Sequence, residues 1–413
     1  MSKVLRTLPC IHAAKGSPMP ELTPEKCLLL DEIKNLSVQM KDIASAIFAE
    51  PELGYQEFKS SARLADFLEE NGFRVERNLL DMPTAFHAVY GSEDGPQVAF
   101  LAEFDALPGL GHACGHNLFG TASCGAAIAL ARHLPAGAVH VFGTPAEEGN
   151  VRDAGGKVPM ADAGLFDNMD AVIAAHAEGR TILKQQLISR ANLEMDFHGK
   201  PAHAAGAPEK GINAMDAAAL AVMGINSLRQ HMTHDVRIHG LLTDTGTAIN
   251  TIPEFARLRY GVRARKPETL NATIDRVVNC ARCCAQALGC TFSWRHSAHP
   301  YYTMRHNMPL LHAFAGNLEL LGENYIEEVQ SSYSTDMGNV SFKAPSIHPY
   351  ISIGSADLVG HSPAFAEASH SESGYNGMLM AAKAMSMTGY DVIMNPELRQ
   401  SSRDAFNATD DLD

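Results

Sequence analysis

His112, Cys114 and His116 stand at alternate positions of LPGLGHACGHNLFG, residues 107–120, with glycines on both sides. Imidazole nitrogen and thiolate sulfur are ligands for zinc-like ions, and glycine-flanked turns leave room for such side chains to converge. Two other readings fit the segment alone. Cys114 can be a buried thiol between incidental histidines, or a nucleophile with a histidine base.

Other chemistry-bearing residues close other apolar runs. QVAFLAEFD ends in Asp105, AVHVFGTPAEEG carries Glu147 and Glu148 side by side, and AVIAAHAEG carries His176. Residues of these types at the carboxyl ends of strands are where an α/β sheet builds its sites. Two adjacent carboxylates on a turn can diverge, one binding a metal and the other standing over metal-bound water. A metal lowers that water's pKa toward about 7, and the free carboxylate takes its proton and passes it to a leaving amine. We assign Glu148 to the metal and Glu147 to the proton, an order that spacing alone leaves open.

The elements that hold these residues follow from the hydrophobic pattern. The runs AFHAVYG, QVAFLAEFDALPG, AVHVFGTPAEEG and AVIAAHAEG each lead into a Gly- or Pro-containing turn, and the apolar helix TASCGAAIALARHL lies among them. Such alternation predicts an α/β fold, a mixed, mostly parallel sheet covered by helices. Ahead of it, residues 23–78 predict two helices and a strand, with Thr23 as cap, Pro24 at the first helical position and a break at Pro51 and Gly54. Near residue 190 the texture changes to alternation, as Leu193, Met195 and Phe197 in NLEMDFHGK. A long helix, further strands through FARLRYGVRARK, a second helix and CTFSWRHS complete an α+β layer with an antiparallel sheet. We expect a discontinuous catalytic domain over residues 1–188 and 301–413, with an inserted domain at 189–300.

Bulk properties narrow the function class. A chain of 413 residues exceeds what one hydrophobic core usually holds. Its net charge of −14 argues against a nucleic-acid partner, because no basic stripe is available to neutralise phosphates. No apolar run reaches the roughly 18 residues of a membrane span, and the first residues lack the apolar core of a signal peptide. A cytoplasmic protein with no membrane partner is expected. Eight cysteines in a chain of this length suit a reducing compartment. Four of them, Cys280, Cys283, Cys284 and Cys290, lie on or beside an amphipathic helix with Leu270, Ile274, Val277, Val278 and Ala281 at helical spacing. Small apolar cysteines on its buried side explain them better than a structural zinc.

The segments GLGHACGHN, GTPAEEG, FHGKPAHAA, AINTIPEFARLRYGVRA and GHSPAFAEAS occur in this order. Together they resemble the amidohydrolase branch of the aminoacylase/carboxypeptidase family of dinuclear metallopeptidases, over essentially all of the chain after residue 30. HACGHN with SYSTDMGNVSF looks closer to the p-aminobenzoyl-glutamate hydrolase and Xaa-Arg dipeptidase subgroup than to the plant hydrolases of auxin–amino acid conjugates, which have Asp where Asn117 stands. The resemblance implies two divalent metal ions, Zn or Mn, held by Cys114, His116, Glu148, His176 and His361. It makes Glu147 the general base and Asp105 a support for the ligands. It also implies that the inserted domain is a lid through which the chain forms a homodimer. His203 of GKPAHAA would then reach the partner subunit's site and stabilise the oxyanion, while Asn250 and Arg263 would hold the substrate's carboxylate or backbone. Relatives outside this branch begin their first motif with His and bridge the metals with Asp, places taken here by Glu103 and Cys114. The thiolate is a softer ligand than the carboxylate it replaces. His112 has no metal role in the branch and is expected to support the turn.

The chain therefore reads as a metal-dependent amidohydrolase that cleaves an N-acyl amino acid or dipeptide and releases a free amino acid. The competing class is a catalytically inactive small-molecule binding protein of the same fold, which should have lost its base or a ligand. A cysteine hydrolase would leave the glutamate pair and His361 without a task. The acidic balance mildly favours cationic substrates such as dipeptides ending in Lys or Arg. VRDAGGKVPMADAG, with Arg152 and Asp153, and SSYSTDMGN are the candidate selectivity segments, and Asp336 either meets a substrate ammonium or caps a turn.

Overall fold

The computed structural model describes residues 22–92 and 94–408. The reading of the first residues as lacking a signal peptide, and both ends of the expected catalytic domain, lie outside these. The chain enters through helix Pro24–Ala49, where the Thr23 side chain accepts from the Lys26 N–H and Pro24 occupies the first turn. Helix Phe58–Glu70 and strand Arg74–Arg77 follow, as the pattern predicts.

A six-stranded sheet lies at the centre, in the order Arg74–Arg77, Phe86–Gly91, Ala138–Thr144, Gln97–Glu103, Ala171–Ile173, Ser346–Ile347. The pairings among its last four strands are parallel and those at the Arg74–Arg77 edge are antiparallel. Strand Gln97–Glu103 shows why both faces are covered. Val98, Phe100 and Ala102 enter the core beneath helices Pro24–Ala49, His116–Arg132, Met308–Leu320 and Glu372–Met394. Ala99 and Leu101 enter a second core against Met160, Phe166, Met337 and Val340. A strand buried on both faces reads as a continuous apolar run, which is what the sequence has there.

Residues 189–301 build a separate antiparallel sheet in the order Thr291–Tyr301, Ser189–His198, Phe255–Ala264, Arg237–Thr243. Leu193, Met195 and Phe197 face helices Ala214–Leu228 and Pro267–Ala287 in a core of their own. Each such fully buried side chain contributes roughly 1.5–3 kcal/mol.

Four details depart from the sequence expectation. The run AVIAAHAEG is two strands, Ala171–Ile173 in the central sheet and His176–Glu178 in a further four-stranded sheet with Tyr350–Ser352, Ile182–Gln186 and Ile326–Gln330. His176 thus opens a second strand rather than ending the first. The helix expected from Thr121 begins at His116, because the glycines before it allow the chain to turn directly into the helix. Cys283 is exposed; Cys280 and Cys284 are half-buried against the antiparallel layer's core, and Cys290 is buried beyond the helix end. Asp336 is fully buried and pairs with Lys157, so it neither awaits a substrate ammonium nor merely caps a turn.

Candidate functional site

Gly115 is the pivot of the site. Its φ of +80° suits glycine, and a Cβ there would lie 2.5 Å from Cβ of Ala177. The missing side chain lets the loop carrying Cys114 approach the strand that begins at His176. Cys114 Sγ then stands 3.4 Å from His176 Nε2 and 3.5 Å from His361 Nε2. Gly120 does the same for the next turn: a Cβ would meet the Glu103 carbonyl at 2.2 Å, so the helix lies directly on strand Gln97–Glu103. His116, at the start of that helix, is wholly buried beside the strand's carboxyl end.

Asp105 orients two donors with one carboxylate. Its Oδ1 lies 3.1 Å from His116 Nδ1, while Oδ2 accepts the Glu148 N–H at 3.0 Å. The Asp105 carbonyl also lies 3.0 Å from His116 Nδ1. Nδ1 is thus turned toward Asp105, leaving Nε2 to point into the site, where it is buried with no hydrogen-bond partner. His176 is arranged alike, Nδ1 lying 2.8 Å from the Ala177 carbonyl. This support of one ring nitrogen so that the other can ligate is the usual organisation behind a metal-binding histidine.

The two glutamates share His116 but differ in their other partners. Ala146 before it has a left-handed φ of 58°, and its N–H donates to buried Glu57 at 2.9 Å. Glu148 Oε2 lies 3.4 Å from His361 Nε2, and Glu148 Oε1 is buried without a partner. Glu147 Oε2 is 4.0 Å from His116 Nε2, and its backbone carbonyl accepts the Tyr301 hydroxyl at 2.7 Å. Donor atoms converge to within 4.8 Å of one another in four groups: Cys114, His116, His176; Cys114, Glu148, His361; His116, Glu147, Glu148; and Glu103, Glu147, Asp336. The first two share Cys114, one joining its sulfur to two imidazole nitrogens and the other to a carboxylate oxygen and an imidazole nitrogen, sets that suit zinc-like ions. The unpartnered buried atoms of His116 and Glu148 aim into them, so these residues fit a pair of divalent cations.

Burial sets the electrostatics. It raises the Cys114 thiol well above its ordinary range, with Glu148 adding to the effect, and it lowers His176 to about 4. Burial followed by Glu103 and Asp336 raises Glu147 well above the usual carboxylate range, the direction a base working near neutral pH requires. Burial also opposes ionisation of Glu103, but the Lys157 ammonium outweighs it and holds that carboxyl low. His112 is buried near Phe48, lowered to about 4 by burial, and belongs to none of the four donor groups.

The sequence over residues 99–385 matches the model of peptidase family M20/M25/M40. The chain belongs to this family. Xaa-Arg dipeptidase of Mus musculus is 37% identical over 410 residues, covering 94% of each protein. One of the subunits of p-aminobenzoyl-glutamate hydrolase from Escherichia coli is 35% identical over 263 residues, 58% of this chain and 54% of that one. A dinuclear metal-binding peptidase of family M20 from Bacillus subtilis shares the fold, with a TM-score of 0.59 at 22% identity over 84% of this chain and 98% of that one. The chain is accordingly a metal-dependent amidohydrolase, as the resemblance implied.

The cluster is bordered by buried residues that the strand-end pattern does not disclose. Lys157 sits in GGKVPMA, a segment read for selectivity, and is completely buried. Glu57 lies in the loop after the first helix; burial, then Asp105, raise it to about 7, and it holds Thr84 and the Ala146 turn. A lone lysine inside an apolar run was the only available signal, and Glu57 gave none. Three expected residues lie elsewhere. His203 is exposed in the antiparallel layer, its Nδ1 accepting from the N–H groups of Ala205 and Gly206 at 3.2 and 3.0 Å. Asn250 is exposed, its carbonyl accepting from Ala204. Arg263 donates to the Ser332 carbonyl at 3.1 Å. Among the described residues His203 joins none of the donor groups. Arg152 and Asp153 are exposed and paired with each other.

Proposed function

We propose that Cys114, His116, Glu148, His176 and His361 hold two divalent ions, Zn or Mn, and that Glu147 is the general base of amide hydrolysis. Bound ions of this kind supply Lewis acidity at a scissile carbonyl and acidify water. The different partners of Glu147 and Glu148 carry the reading. Both carboxylates converge with His116, but Glu148 also joins Cys114 and His361, while Glu147 stays free of that group and joins Glu103 and Asp336 instead. Glu147 takes a proton from the attacking water and delivers it to the amine nitrogen as the C–N bond breaks. Asp105 keeps His116 and the Glu148 backbone in register throughout.

The substrate is an N-acyl amino acid or dipeptide, with dipeptides ending in arginine the first class to try. The Mus musculus relative is named for that class, and the chain's charge of −14 suits a cationic substrate. We further propose that the chain is a cytoplasmic homodimer joined through the antiparallel layer acting as a lid. His203, with its Nε2 directed away from its own turn, would complete the partner subunit's site by stabilising the oxyanion. Asn250 and Arg263 would hold the substrate's carboxylate. Among the described residues no helix is long and apolar enough to cross a membrane.

Purified chain, stripped with EDTA and reloaded with Zn or Mn, should release amino acid from at least one of Ala-Arg, Ala-Lys, N-acetyl amino acids and p-aminobenzoyl-glutamate, and only when loaded. Turnover that survives chelation would support the cysteine hydrolase instead. Metal uptake without turnover on any of these would favour the inactive binding protein.

A further inference from the structure

Lys157 has no part in the chemistry so far, yet its side chain is fully buried within the site's wall. Its Nζ lies 2.7 Å from Glu103 Oε1 and 2.5 Å from Asp336 Oδ1, and its backbone N–H donates to Asp336 Oδ2 at 3.1 Å. Glu103, Glu147 and Asp336 are all buried and bring their carboxylate oxygens within 4.8 Å of one another. Like charges this close repel strongly away from bulk water, so three such groups need a cation or protons. The lysine's place relative to Glu147 is fixed through the backbone. Gly155 N–H donates to the Ala146 carbonyl at 2.8 Å and Gly156 N–H to the Pro145 carbonyl at 3.1 Å. A Cβ on Gly156 would fall 2.5 Å from that Pro145 carbonyl, so the two segments are in closest approach immediately before Lys157.

We propose that Lys157 is a positioning residue for catalysis: its ammonium serves as a covalently tethered counter-cation among Glu103, Glu147 and Asp336, keeping the Glu147 carboxylate aimed into the site. The inference rests on the reading of Glu147 as the base. A tethered cation differs from a bound ion in one useful respect, since it cannot dissociate or be removed by a chelator. The charge that holds Glu147 therefore persists when the metal ligands are empty. Glu103 links the two halves of the arrangement, with Oε1 on Lys157 and Oε2 3.4 Å from His116 Nε2.

The test compares full-length wild type, Glu147→Gln, Lys157→Met and the double variant Lys157→Met/Asp336→Asn, which removes one charge of each sign. Steady-state kinetics use Ala-Arg, or p-aminobenzoyl-glutamate if the substrate panel selects it. Metal content is measured by mass spectrometry and folding by thermal melting. Lys157→Met alone, with uncompensated carboxylates, should melt earlier than wild type. The double variant should recover most of the melting temperature and bind as much metal as wild type. Its kcat should remain about 100-fold low with KM within about threefold, the signature of a misplaced catalytic group. Recovery of wild-type kcat together with stability would overturn the proposal, because Lys157 would then only balance charge. Loss of metal in the double variant would also overturn it, in favour of a role in metal retention. Wild-type turnover in Glu147→Gln would overturn the base assignment itself. An inactive Glu147→Gln beside a fully active double variant would overturn the role of Lys157 alone.

Discussion

Asp105 supports two of the proposed metal ligands with one carboxylate, and its replacement has a consequence that can be worked out atom by atom. With His116 ligating through Nε2, its Nδ1 carries a proton, so Asp105 faces two donors, His116 Nδ1 and the Glu148 N–H. Asparagine at this position offers one acceptor and one donor. If the amide oxygen stays on Glu148, the NH2 group must face the His116 proton. The Asp105 carbonyl, 3.0 Å from Nδ1, remains available and absorbs part of that loss. Loss of such an outer partner weakens metal binding by about 10- to 100-fold, and the retained carbonyl places Asp105→Asn at the low end, about tenfold or 1.4 kcal/mol. Asp105→Ala removes both contacts and leaves the Glu148 N–H unsatisfied, so it should approach the hundredfold end. Competition titration of Zn against a chromophoric chelator measures both variants directly, with circular dichroism confirming the fold. Equal affinity in Asp105→Ala and wild type would refute the reasoning, since it would mean that His116 and Glu148 need no orientation or do not ligate.

Other perturbations follow from the same geometry. Glu147→Gln should lower kcat by about 10²- to 10⁴-fold, the range for losing a general base, while metal content measured by mass spectrometry stays unchanged. If His203 serves the partner's site, mixing inactive His203→Ala and Glu147→Gln chains through unfolding and refolding should restore about a quarter of wild-type activity, from the one intact site in each mixed dimer. Continued inactivity of a mixture shown to exchange subunits would mean that His203 does not act in the partner's site. Stability should fall in acid. Burial lowers His87 and His140 to about 4 from an unfolded value of about 6.5, so between these values the unfolded chain binds more protons and is favoured as pH drops. The contribution is present above about 6.5 and fades toward 4, by roughly 1–3 kcal/mol for the pair. His87→Phe keeps the stack on Phe142, whose rings are 4.3 Å apart, and should flatten the urea midpoint's pH dependence. An unchanged slope would show that these histidines do not drive it.

The sequence alone determined what was local. Cys114, His116 and the glutamate pair were legible as candidates because metal chemistry restricts residue types and because strand ends are where α/β sheets gather them, and the structure brings their donor atoms together. The continuous apolar run of Gln97–Glu103 announced a strand buried on both faces, and alternation at Leu193, Met195 and Phe197 announced a layer with one face packed. Tertiary structure decided what depends on distant segments meeting. His176 reaches Cys114 across 62 positions because Gly115 leaves space beside Ala177, and His361 arrives from 247 positions away. The pairing of Lys157 with Asp336 spans 179 positions. Each residue, taken singly, looks like an ordinary surface charge. Burial turns the pair into a fixed feature of the site, because a charge taken out of water must find its partner wherever the fold has placed one.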